Sequence, residues 1–64
     1  MLPEPIFNIT AWHRTERKRL HLFTWTRDAY SGIQRALREA KEFGMADLLS
    51  DYQAERITEK DYDT

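Results

Sequence analysis

The chain has 64 residues and no cysteine, and its ten lysines and arginines against eleven aspartates and glutamates give a formal charge of -1. A chain of this length buries only about 60% of the surface its unfolded form exposes, so it supports one small core, and no disulfide framework or thiolate metal site supplements that core. The balance of charge excludes the whole-chain positive field of a protein held to nucleic acid mainly through phosphates, and leaves only local basic patches.

Met1-Leu-Pro-Glu-Pro5 lacks the basic and apolar regions of a signal peptide, and no run approaches the roughly 20 apolar residues that cross a bilayer, so a soluble, cytoplasmic, non-membrane protein is expected. Pro3 and Pro5 hold residues 1–5 as an extended tail, and a single domain is expected over residues 6–58. Phe7, Ile9 and Ala11 alternate with Asn8, Thr10 and Trp12, which predicts a strand over residues 7–14. Polar residues 15–18 interrupt it, and Leu20-His-Leu-Phe-Thr-Trp-Thr26 alternates again, so the two segments form an antiparallel hairpin.

At Thr26 the period changes from two to 3.6. Its hydroxyl suits a helix N-cap and Asp28 suits the first turn, while Ala29, Tyr30, Ile33, Ala36, Leu37, Ala40 and Phe43 form an apolar stripe that Gly44 ends in a left-handed conformation. Residues 45–58 read two ways. Met45, Leu48, Leu49 and Tyr52 fit a helical stripe, whereas residues 52–58 alternate as a strand. A turn followed by a third strand is preferred, because a lone hairpin is marginal and a returning strand completes a sheet for the helix to cover. The fold class expected is α+β, a small ββαβ domain, with an acidic tail over residues 59–64.

A four-residue turn at 15–18 sets Arg14 against Arg19 and Ala11 against Leu22. One sheet face then carries Phe7, Ile9, Ala11, Leu20 and Leu22, and the other Ile6, Trp12, His21, Phe23 and Trp25. One helix covers one face, so large apolar residues remain on the other. The aliphatic set is the better bed for Ile33, Leu37 and Ala40, which leaves Trp12, His21, Phe23 and Trp25 as the candidate partner-binding surface, tryptophan being favoured at interface hot spots. The alternative is that these rings are ordinary core beneath the C-terminal segment or the proline tail. Burying the second face in a homodimer would also stabilise so small a domain.

The turn gathers Arg14, Arg17, Lys18 and Arg19 against Glu16 alone. With Trp12 and Trp25 these residues suggest single-stranded nucleic acid held by stacking and charge, although a solvated turn that protects edge strands is the plainer reading. Residues 47–63 carry six carboxylates and two cations, so the molecule is expected to be electrically polarised. Nothing predicts catalysis: His13 and His21 have no recognisable nucleophile or acid partner, Glu59, Asp61 and Asp63 lack the glycine turn of a calcium loop, and no metal or cofactor site is read.

In layout, residues 20–44 together with 52–58 resemble the small cysteine-free accessory proteins of many bacteriophages, among them the T7-type inhibitors of bacterial RNA polymerase. No functional residue carries over from that layout. The resemblance implies a non-enzymatic protein that binds and redirects a host macromolecule. Two functions are therefore expected: a protein-binding module using the aromatic sheet face and an unpaired strand edge, or a nucleic-acid-binding accessory protein using the basic turn and the two tryptophans.

Overall fold

The computed structural model describes residues 5–57. Within them β1 (Ile6–His13), β2 (Lys18–Trp25), α1 (Ala29–Glu42) and β3 (Leu49–Ile57) follow in order. β1 pairs antiparallel with both other strands, in the order β2-β1-β3, and α1 lies on one face, chiefly over β3 and β1. The protein is an α+β domain of ββαβ order. The expected tails at 1–5 and 59–64 fall, Pro5 apart, outside the described residues.

The hairpin turn occupies residues 14–17, one position earlier than the polar interruption suggests. The Arg17 N–H donates to the His13 carbonyl at 2.7 Å, and the Glu16 N–H donates to His13 Nδ1 at 3.0 Å. Arg17 has a φ of 55°, a left-handed conformation that glycine adopts at less cost.

Two irregularities decide the faces. Near the turn Ala11 opposes Leu20, but beyond a bulge at Leu22 the partners become Ile9 with Phe23 and Phe7 with Trp25. Opposed residues share a face, so one inserted residue turns Phe23 and Trp25 onto the side that already carries Leu20. On β3 the second irregularity falls between the positions opposite Thr10 and Trp12, where Asp51 has a φ of 49°. Leu49 and Tyr52, three residues apart, consequently both pack towards the helix. That spacing is what made this segment resemble a helix, and the strand begins at Leu49 rather than Tyr52.

The helix starts at Ala29, capped by Asp28 instead of Thr26. Asp28 is extended (φ -129°, ψ 159°), and its carboxylate accepts from the Ser31 N–H at 2.7 Å and the Ser31 hydroxyl at 3.0 Å. Asp28 is therefore the cap and not a first-turn acid. At the other end the Met45 N–H reaches the Ala40 carbonyl at 2.7 Å and the Gly44 N–H reaches Lys41 at 3.2 Å, with Gly44 at φ 72°. This is the Schellman pairing, and Gly44 stops the helix as expected.

The Ser31 N–H, then its hydroxyl, then the nearby Arg27 charge hold the Asp28 carboxyl below its ordinary value. A depressed carboxyl contributes stability above its unfolded pKa and loses it as pH falls through the folded one. Asp28→Ala is thus expected to lower the melting temperature at neutral pH, with the gap to the parent shrinking as pH drops below about 4. Thermal melts of both proteins across pH 2 to 7 check this; a gap that widens on acidification would refute it.

The buried stripe of α1 is Gly32, Ala36 and Ala40, one turn apart. Tyr30 and Phe43 are 72% and 74% exposed, and Leu37 is also exposed, which corrects the expected stripe. Tyr30 and Leu37 lie about 100° or more around the helix from Ala36, so the helix presents its smallest side chains to the sheet and approaches it closely. The core comprises Ile6, Ile9, Ala11, Ala36, Ala40 and Leu49, with Leu20, Leu22, Met45 and Tyr52 half-buried around its Ala11–Ala40–Leu49 part.

Candidate functional site

The aromatic set does not form an uncovered face. Phe23 and Trp25 lie on the helix side, their rings edge to face at 6.4 Å and 71°, and the Arg35 guanidinium sits 5.3 Å from each ring centroid. Gly32 packs against Trp25, whose indole N–H is buried with no acceptor among the described residues. The bulge at Leu22 is the physical cause: without it the alternation of β2 would have placed both rings opposite the helix.

Trp12 and His21 stay on the other face, as expected, but their neighbours there are polar. Trp12 stands between Arg19 on β2 and Ser50 on β3, and His21 opposes Thr10. Arg19 is a tie across the whole sheet rather than a spare turn charge. It donates to Thr10 Oγ1 at 3.2 Å and to the Asp51 carbonyl at 3.0 Å, and pairs with the Asp51 carboxylate, to which the Gln53 side-chain amide also donates at 3.1 Å. The left-handed backbone of Asp51 thereby serves a cross-strand network. Lys18 approaches Glu16 at 3.9 Å, and Arg14 and Arg17 are exposed in the turn.

The constellation required for single-stranded nucleic acid does not assemble. Trp12 lies beside the basic turn on one face, while Trp25 lies on the other face, six residues farther along β2, about 20 Å at strand rise. His13 is buried on the helix side with its Nδ1 accepting from backbone, and His21 is exposed on the polar face. No group of three histidines or carboxylates converges as metal ligands among the described residues.

What the sequence reading missed is a groove. Because α1 is set towards β3 and β1, a strip beside β2 stays open, lined by Leu22, Phe23, Ala40, Phe43, Met45 and Leu49, with a cavity volume of about 190 Å³. Glu39 is the polar exception on its wall, and Phe43 stands largely exposed on its rim. Phe43 was legible as an apolar residue just before the helix-ending glycine, but only the off-centre seat of the helix leaves it beside open apolar surface. A second hollow, larger at about 550 Å³ and more open, lies between Trp25 and Tyr30 and is edged by Arg27, Arg35 and Arg38.

In comparisons with known proteins, no protein-family model, no curated protein and no solved structure matches this chain. No helix among the described residues is long and apolar enough to cross a membrane.

Proposed function

We propose that the protein is a non-enzymatic protein-binding module whose contact surface is the groove between α1 and β2. The observation that supports this reading is the exposed Phe43 ring bordering an apolar groove of about 190 Å³. A domain with so few buried residues has little apolar surface to spare, and an aromatic next to an open apolar pocket is the composition of an interface core. The phage-like layout extends this to a host-directed role, in which the module occupies a host protein and alters its activity. The partner surface is thus moved from the sheet's far face to its helix side.

Affinity capture from nuclease-treated bacterial lysate, with the parent and Phe43→Lys side by side, tests the proposal. A cation at this position suits the helix C-terminus, so the variant is expected to keep its fold. The parent should retain a protein at both low and high salt, and the variant should lose it. Retention of nucleic acid alone, weakening steeply as salt rises and indifferent to Phe43, would replace this reading by the one based on Arg14, Arg17, Lys18 and Trp12.

A further inference from the structure

Independently of the groove, we propose that the larger hollow beside Trp25 and Tyr30 is a binding site for a nucleoside diphosphate. Its volume of about 550 Å³ lies within the range of small-ligand sites, and it gathers Arg27, Arg35 and Arg38 against the single carboxylate of Glu39. Arg38 pairs with no carboxylate among the described residues. Arg27 makes no ion pair among them either, the neighbouring Asp28 carboxylate being taken by Ser31. Arg35 donates its Nε to Glu39 at 3.0 Å, which leaves its two terminal nitrogens without a partner among the described residues. Trp25, which also lines the hollow, has its indole N–H buried with no acceptor there. The site is rich in donors and short of acceptors, the composition that an anion completes.

The anion is phosphate carried on a planar ring, because the site supplies both halves. Guanidinium forks match phosphate oxygens two at a time, and Arg35 is already held 5.3 Å from the Phe23 and Trp25 centroids, so it loses little freedom on binding. Tyr30 presents a 72% exposed ring on which a base can stack. Tyr30, Gln34 and Arg38 are spaced four residues apart and follow one face of α1, a track with about 12 Å of helix rise. A base on Tyr30, a sugar beside Gln34 and two phosphates between Arg35 and Arg38 span that track, whereas a lone phosphate or a phenyl phosphate reaches only part of it.

The cluster is also short. Asp28 stands at the N-cap and Glu42 one helical turn beyond Arg38, so carboxylates bound the arginines at both ends of α1. A continuous polyanion running past the hollow meets those like charges, while a compact ligand ends between them. The same economy fits a chain whose formal charge is -1: its positive field is confined to one small site.

Isothermal titration calorimetry of the full chain with ADP in metal-free buffer tests the proposal. One ADP per chain is expected to bind, more tightly than pyrophosphate, adenosine or phosphotyrosine, and in a Trp12→Phe background the emission of Trp25 should follow the same saturation curve. Arg38→Ala and Tyr30→Ala are each expected to raise the dissociation constant about tenfold or more, the first by removing a charged phosphate contact and the second by removing the stacking ring. Lys41→Ala removes the same charge from the same helix outside the hollow and should change it by less than about twofold. Arg38, Tyr30 and Lys41 are all exposed, and circular dichroism confirms the fold of each variant. Absence of ADP binding up to millimolar concentration overturns the site. Pyrophosphate or phosphotyrosine binding as tightly as ADP, or a harmless Tyr30→Ala, overturns the nucleoside as part of the ligand. An equal loss in Lys41→Ala shows diffuse attraction by charge and overturns the proposal as well. The capture test of the groove does not depend on any of these outcomes.

Discussion

Ile9→Ala should cost about 2 to 5 kcal/mol, a large part of the roughly 3 to 10 kcal/mol that a domain of this length commands. Ile9 is fully buried on the central strand, opposite Phe23 on one side and Ala54 on the other, and α1 rests on its side chain at Gly32. Gly32 above it and Ala11 and Ala54 beside it have nothing to extend into the space, and of its cross-strand partners only Phe23 is large enough to lean in. The cavity therefore closes only in part, and the cost includes what remains open. Leu22→Ala, at a half-exposed position on the groove wall, should cost less. Urea denaturation followed by circular dichroism measures both, and a Leu22 variant less stable than the Ile9 variant would mean that the core lies beside β2 and not over β1.

The order of elements was legible because its signals are local. Alternation from Phe7 to Trp12, the change of period at Thr26 and the glycine at 44 each act within a few residues, and each corresponds to an observed strand, helix start or helix end, with the cap itself moved by two residues. Faces were harder to read, because a face depends on unbroken counting along a strand. One inserted residue at Leu22 reversed the side of Phe23 and Trp25, and another at Asp51 put Leu49 and Tyr52 on the same side. Neither bulge carries a glycine that would announce it. Arg19 shows the same limit in the polar residues: its sequence neighbours mark it as one of four turn cations, but its partners Thr10 and Asp51 lie 9 and 32 positions away. The helix stripe went wrong for a different reason. Hydrophobicity selected Tyr30, Leu37 and Phe43, while the sheet accepted the smallest residues, and Gly32 carries no apolar side chain to count.

That glycine gives the second large effect, and its sign distinguishes packing from propensity. At an exposed helical position Gly→Ala gains about 1 kcal/mol, since alanine restricts the unfolded chain and favours the helix. A Cβ on Gly32 would instead stand 2.7 Å from Ile9 Cδ1, 3.2 Å from Ile9 Cγ1 and 3.1 Å from Trp25 Cγ. Ile9 has no solvent-exposed surface into which it can turn, and Trp25 Cγ is the root of a rigid ring held beneath Arg35. Relief requires α1 to lift from the sheet. Overpacking of this kind costs about 1 to 3 kcal/mol, enough to outweigh the propensity gain, so Gly32→Ala should be destabilising and Gly32→Val more so. Ile9→Val removes the nearest atom, Cδ1, and in that background Gly32→Ala should be distinctly less harmful than in the parent. A double-mutant cycle from chemical denaturation reads this coupling directly. Strictly additive costs, or a stabilising Gly32→Ala in the parent, would show that the helix does not rest on Ile9 as closely as these distances require.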